Sequence, residues 1–123
     1  HHIKWRDVNL WLEEARPDPD GRHGLRVKLK VSSIPTMGLY MERLEKGMAT
    51  TPIKSTANHL FVCAEGTGKT EVEGKIFTWD RGDVIAVPSW KAYNHQSTTG
   101  ATLFEITDEP VIAALDWYRE EII

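Results

Sequence analysis

The sequence predicts an all-β fold, a β-sandwich or small barrel with a short helix at each end. Three observations predict it. Between residues 25 and 106 apolar residues recur in short runs, several with strict alternation. Turn-forming strings such as Glu73-Gly74 and Asp80-Arg81-Gly82 separate those runs at close intervals. Only the first and last segments carry a helical repeat. Many short strands at close spacing argue for a sandwich or barrel.

Trp5 to Ala15 reads as a helix, because Trp5, Val8 and Leu12 recur at helical spacing and Leu10 and Trp11 widen the apolar side. Pro17-Asp18-Pro19-Asp20-Gly21 ends it in a loop. Leu25, Val27, Leu29 and Val31 alternate with Arg26, Lys28 and Lys30, as in a half-buried strand. Met37 to Leu44 is a second strand. His59 to Ala64 is a third, and its continuous apolar run predicts deeper burial. Lys69 to Val72 and Lys75 to Trp79 form a hairpin about Glu73-Gly74. Asp83 to Val87 and Ala101 to Ile106 complete the strands. In the tail Asp108 is the expected N-cap, Pro110 lies in the first turn, and Val111, Leu115 and Tyr118 share a helical face. The expected division is 1–24 for helix and linker, 25–109 for the barrel and 110–123 for a terminal helix. Trp5, Trp11 and Trp117 are expected to pack the terminal helices on the barrel.

A chain of 123 residues, 41% hydrophobic and 27% charged, makes one globular domain. Its 15 Lys and Arg against 18 Asp and Glu exclude a generally basic nucleic-acid binder. The lack of an 18-residue apolar run excludes a membrane-spanning helix. One cysteine, Cys63, allows neither an internal disulfide nor a four-thiolate zinc site and fits a reducing, cytoplasmic compartment. His1 to Trp5 lacks the apolar run of a signal peptide, and without a starting Met a piece of a longer chain is the expectation.

Two strings imitate functional motifs. Gly66-Thr67-Gly68-Lys69-Thr70 resembles the end of a phosphate-binding loop, but Cys63 stands where the first glycine belongs. Lys69 to Val72 then alternates instead of opening a helix, so no amide cradle is expected. Arg81-Gly82-Asp83 reads as a turn into the next strand.

A longer frame runs through the middle. Gly47 is followed after five residues by Ile53, then Ser55, His59 and Gly66; later come Gly82, Pro88, Trp90 and Tyr93. These spacings resemble both motifs of the cupin superfamily. The resemblance implies a double-stranded β-helix, a small jelly-roll-like barrel. In cupins the first motif supplies two histidines and a glutamate, and the second a third histidine, to one divalent metal. Here Ile53 and Ser55 stand at the two histidine positions, His59 at the glutamate and Tyr93 at the last histidine. Trp90 replaces a glycine and Ser97 an asparagine. Isoleucine cannot ligate and a serine hydroxyl is a poor ligand, so no metal is expected in this chain. His59, Tyr93 and His95 are the residual metal candidates; Tyr93 and His95, two apart, would share a strand face. The competing expectation is a structural network, with His59 bonded to Tyr93 or water and His95 near the barrel mouth.

A closer resemblance follows from Pro35-Thr36-Met37-Gly38, Lys54 to Phe61, Val87-Pro88-Ser89-Trp90, Leu103 to Pro110 and Leu115 to Glu121. These look like the second cupin of bicupin ring-cleaving dioxygenases, the gentisate 1,2-dioxygenase family with its salicylate and 1-hydroxy-2-naphthoate relatives. In that family three histidines, usually of the first cupin, hold an Fe(II) that opens an aromatic ring with O₂. The second cupin often lacks them and serves architecture and subunit contact. The resemblance therefore implies a non-catalytic domain with a degenerate metal site and a structural or oligomerising role. Its partner would be an upstream catalytic cupin or a second copy, the Leu25 to Val31 strand being the candidate dimer contact. One alternative is a free-standing cupin binding a small molecule, such as an aromatic acid, among Ile53, Ser55, His59, Phe61, Trp90, Tyr93 and His95. Against it stands a simply filled core. The other is a small metal-dependent enzyme using His59, Tyr93 and His95.

Overall fold

In the computed structural model, which describes residues 3–30 and 36–123, the chain begins with α1 (Trp5–Glu14), β1 (Leu25–Leu29), β2 (Gly38–Leu44) and β3 (Met48–Ala49). β4 (Ile53–Ser55), β5 (His59–Gly66), β6 (Gly68–Val72), β7 (Lys75–Trp79) and β8 (Val84–Val87) follow. The chain closes with β9 (Tyr93–Ser97), β10 (Ala101–Thr107), α2 (Glu109–Ala114) and β11 (Glu120–Ile122). Val31 of the first expected strand and Pro35 lie outside the described residues.

The strands form two antiparallel sheets, ordered β1-β2-β10-β5-β8 and β11-β4-β9-β6-β7, with β3 added to β9. Side chains alternate across each strand, so one face of each sheet turns inward. Leu44, Ile53, Phe61, Cys63, Trp79, Ile85, Val87, Tyr93, Ala101 and Leu103 meet there as the main core. The opposite face of the first sheet is covered in part by α1. Val8 and Leu12 of that helix pack with Leu29, Met41, Val27, Leu39 and Phe104 in a second cluster. This is why β2 is buried on both faces at Tyr40, Met41 and Glu42.

Several expectations need correction. β5 does not bury its whole run; it alternates, and Leu60 is exposed. β3, β4 and β9 are strands that apolar alternation did not reveal, because β9 buries Tyr93, Asn94, His95 and Ser97, largely polar residues. The terminal helix is only α2, and residues 110–123 are not one element. Asp116 takes a left-handed backbone (φ 57) after Leu115, which ends the helix. The Thr56 hydroxyl then donates to the Trp117 carbonyl and accepts from the Arg119 amide, and β11 zips antiparallel onto β4. Asp108 does not cap α2 with its side chain; its carboxylate accepts from the backbone and side-chain amides of Asn58. Trp5, Trp11 and Trp117 are exposed rather than packed on the barrel.

The hairpin about Glu73-Gly74 is as expected. Both residues have positive φ, the geometry of a two-residue turn whose twist matches its strands. Gly68 opens strand β6, not a helix. A Cβ there would lie 2.5 Å from both the Gln96 carbonyl oxygen and the Trp79 ring, so close packing explains the glycine. Among the described residues no helix is long and apolar enough to cross a membrane.

Candidate functional site

Strand parity carries a set of polar side chains into the barrel. β4 presents Ile53 and Ser55, β5 presents His59 and Phe61, and β9 presents Tyr93 and His95, all buried. Ile53 pairs with Tyr93 across the β4–β9 ladder. The His59 and Tyr93 rings are 5.4 Å apart and the Phe61 and Tyr93 rings 5.6 Å. Phe61 meets His95 edge to face at 4.4 Å. The structure therefore brings together Ile53, Ser55, His59, Phe61, Tyr93 and His95. Trp90 stands apart. It is 39% exposed under the Lys54 ammonium, 4.4 Å from its ring. Its amide nevertheless donates to the Ser55 carbonyl, and its φ of 62 keeps the left-handed backbone that the frame's glycine position favours.

The two histidines are held in different ways. His59 does not bond Tyr93, as one expectation had it. Its Nδ1 lies 2.6 Å from Glu105 Oε2, and its Nε2 lies 3.1 Å from the Ser55 hydroxyl. Glu105 Oε1 accepts from the Arg26 guanidinium at 2.7 Å. Burial alone would raise the Glu105 carboxyl, but the hydrogen bond from His59 and the charge of Arg26 hold it at about 2. As a carboxylate it only accepts, so His59 Nδ1 is the donor. Burial works against the Arg26 charge too, yet Glu105 beside it keeps Arg26 a firm cation. The guanidinium also stacks on Tyr40, 3.6 Å from the ring centre.

His95 lies deeper, on the far side of Phe61 and Tyr93, and not at the mouth. Trp79 Nε1 donates to Thr70 Oγ1 at 2.9 Å, and Thr70 Oγ1 lies 2.8 Å from His95 Nδ1. His95 Nε2 is buried without a hydrogen-bond partner among the described residues. Burial pushes His95 down to about 3, so it is neutral. Burial likewise raises the Tyr93 phenol well above its ordinary value, and it stays protonated.

These donors do not fit the iron that the cupin frame implies. Both ring nitrogens of His59 are engaged, Tyr93 is a neutral phenol, and Ile53 has no donor atom. His95 Nε2 is one free nitrogen in an apolar box, where a two-His-one-carboxylate or three-His set is needed. Among the described residues there is no group of three His, Cys, Asp or Glu spaced to hold a metal.

Ser55, His59 and Glu105 have the hydrogen-bond order of a nucleophile, base and orienting acid. Acyl transfer needs more than this order. Ser55 is 3% exposed, its carbonyl is bonded to Trp90, and its backbone pairs with Glu120. The hydroxyl is shut away from solvent, so no substrate carbonyl reaches it.

Sequence reasoning missed Arg26, Glu42 and Glu105. Glu42 is fully buried and accepts from the Gly24 amide at 2.9 Å. Burial raises its carboxyl to about 7, although the Gly24 bond opposes this. Gly24 is required there, since a Cβ would lie 2.2 Å from the Arg43 carbonyl oxygen. The available signal was parity: Glu42 falls between Tyr40 and Leu44, and Glu105 between Leu103 and Thr107, on the inward faces. For β1 the apolar side turned out to face α1, which sends Arg26 toward the barrel. Outside the network, His59 also borders an open pocket of about 290 Å³ with Leu60, Val87, Pro88, Ile106 and Thr107.

No family model matches the chain. It is 36% identical over 90 residues to 5-aminosalicylate 1,2-dioxygenase of Comamonas sp, covering 72% of this chain and 24% of that protein. It is 31% identical over 106 residues to gentisate 1,2 dioxygenase 1 of Aquipseudomonas alcaligenes, covering 82% of this chain and 30% of that protein. The chain thus spans about a quarter to a third of the length of these curated relatives. Salicylate 1,2-dioxygenase from Pseudoaminobacter salicylatoxidans, solved with gentisate, superposes with a TM-score of 0.88 at 24% identity, covering 98% of this chain and 36% of that one. A cupin-2 domain from Rhodospirillum rubrum superposes with a TM-score of 0.67 at 14% identity, covering 76% of this chain and 66% of that one. Two facing antiparallel sheets and these sequence relationships make the chain a cupin fold related to the gentisate and salicylate 1,2-dioxygenases.

Proposed function

We propose that this chain is the non-catalytic, C-terminal cupin of a gentisate-dioxygenase-like ring-cleaving enzyme, acting in packing and subunit contact in a cytoplasmic setting. One observation carries the reading. Where the frame would converge ligands on a metal, His59 is committed at both nitrogens, to Glu105 and to Ser55. Ring opening by O₂ in such an enzyme would then belong to another cupin, as the names of the relatives suggest for the whole proteins. The partner is an upstream cupin or a second copy. β1, an edge strand of the first sheet, supports the contact role, since an edge leaves backbone donors and acceptors for pairing.

Elemental analysis tests this on tag-free protein purified without chelator and offered Fe(II), Zn(II), Mn(II) and Ni(II). Substoichiometric metal is expected. A stoichiometric metal that disappears in His59→Ala would overturn the reading and favour a metal enzyme built on His59, Tyr93 and His95.

The pocket beside His59 favours a second reading, a cupin that binds a small aromatic acid. Its apolar wall of Leu60, Val87, Pro88 and Ile106 suits a ring. Calorimetric titration with aromatic carboxylates separates the two: saturable heat supports binding, and none removes it.

A further inference from the structure

The two sheets end in β1, β8, β11 and β7, and these edges differ in what they offer a neighbour. β1 carries Arg26 and Lys28. An antiparallel copy of itself centred on Val27 sets Arg26 opposite Lys28, and one centred on Lys28 sets that lysine opposite itself. β11 carries Glu120 and Glu121 and meets the same objection. Charges on an edge guard it against its own kind. β8 is four residues long and exposes only Val84 and Ala86, on one face.

β7 is different. Lys75 to Thr78 are all exposed, and only Lys75, beside the turn, is charged. Ile76 stands across from Glu71 on the outer face and is 59% exposed. Phe77 stands across from the buried Thr70, on the other face, and is still 46% exposed. The strand thus bares a large apolar side chain on each face, in residue types that favour sheet pairing. Its backbone is also set for pairing. In a two-residue hairpin the closing residues, here Val72 and Lys75, exchange hydrogen bonds, and the pairs alternate from there. Ile76 and Thr78 therefore turn their N–H and C=O groups away from β6. Among the described residues no strand pairs with that side of β7.

We propose that β7 is a self-pairing edge, to which a second copy of this chain adds its own β7, antiparallel about a two-fold axis at Phe77. Residues directly opposite each other share a sheet face, so the axis must pass through a residue, and at Phe77 it uses the whole strand. Phe77 then faces Phe77 of the copy, Ile76 faces Thr78, and Lys75 faces Trp79. No like charges meet. The outward N–H and C=O groups of Ile76 and Thr78 find their partners in those of the copy, and the pairing closes, because each edge is consumed by the other. The inference rests on the contact role proposed above, takes a second copy as the partner, and leaves β1 to a different chain.

Sedimentation over a range of concentrations tests this. One strand pair is a small interface, so the unaltered chain is expected to form a reversible dimer of micromolar rather than nanomolar affinity. Phe77→Asp sets two carboxylates opposite each other and should weaken the dimer by about 10-fold or more, with the far-UV spectrum of the fold retained. If that variant does not fold, Thr78→Pro is read in the same way, since it deletes an N–H that points to the free edge. Register is read by crosslinking. Phe77→Cys, oxidised with diamide, should give a disulfide-linked dimer, and Ile76→Cys, which faces Thr78 of the copy, should not. Cys63 is buried and takes no part. Crosslinking at Ile76, or at neither position, overturns the inference. A monomer at every concentration overturns it too, gives the β7 edge to another chain, and leaves the metal-free reading to elemental analysis. A dimer untouched by Phe77→Asp and Thr78→Pro overturns the inference and keeps the contact role.

Discussion

His59 and His95 are buried in the same barrel, on strands of the two different sheets, and their surroundings handle burial in opposite ways. Around His59 the barrel is charged: the Glu105 carboxylate ties it to the Arg26 guanidinium, and the Glu42 carboxyl, bonded separately to the Gly24 amide, is buried on the same sheet face. Around His95 it is neutral: a hydroxyl, an indole N–H and two aromatic rings. Burying a charge costs several kcal/mol unless it is paired, whereas a neutral imidazole needs only hydrogen bonds. The charged level is thus interdependent, each member compensating another. The neutral level fails one bond at a time.

Breaking the charged level should have the largest effect. Glu105→Ala leaves the Arg26 guanidinium and the His59 N–H without their shared acceptor. Removing one partner of a buried pair typically costs about 3–5 kcal/mol. Urea denaturation should show a loss of that size, and a second substitution of Arg26→Met should recover part of it. A loss below about 1 kcal/mol, the range of exposed ion pairs, would mean water screens the network.

The two carboxylates of this level should pull stability in opposite directions with pH. Glu105 lies at about 2 when folded, below its ordinary 4.5. It contributes stability that is present above pH 4.5 and is lost as pH falls toward 2. Glu42 lies at about 7, above its ordinary 4.5. It contributes stability that is present below pH 4.5 and is lost as pH rises through 7. Stability should therefore peak in the mildly acidic range. Glu42→Gln should flatten the fall between pH 5 and 8, which we place on the order of 2–3 kcal/mol, and leave the acid limb unchanged. An unchanged fall in that variant would assign it to another group.

The same division explains what the sequence disclosed. The all-β class followed from alternation in Leu25 to Val31 and from short apolar runs such as Asp83 to Val87 and Ala101 to Ile106, and the hairpin from Glu73-Gly74. The cupin frame followed from glycine spacing, and Gly47, Gly66 and Gly82 all have positive φ. Of the neutral level only the shared face of Tyr93 and His95 was legible, because they stand two apart on β9; the Thr70 and Trp79 partners of His95 were not, since they come from other strands. The charged level was not, because its members come from β1, β2, β5 and β10 and are joined only by sheet register. An alternating strand does not say which face is the core. At β1 the apolar face met α1 and the cationic face supplied Arg26. The tail strand was hidden for a similar reason, since Glu120 to Ile122 pairs with a segment over sixty residues away.

The smallest expected effects separate the two levels most finely, by comparing two hydroxyls. Thr70 serves two dependents: it accepts the Trp79 N–H and meets His95 Nδ1. Thr70→Val keeps the shape and strands both groups in an apolar box. Each buried polar group left unsatisfied costs about 1–3 kcal/mol, so a loss of about 2 kcal/mol or more is expected by denaturant melting. The Ser55 hydroxyl meets His59 Nε2, and that ring is already fixed by Glu105 at Nδ1. Ser55→Ala should cost only about 1 kcal/mol. If the order is reversed, the Ser55 hydroxyl is an integral part of the charged network, and the His59 level extends to β4 and to the tail strand paired with it.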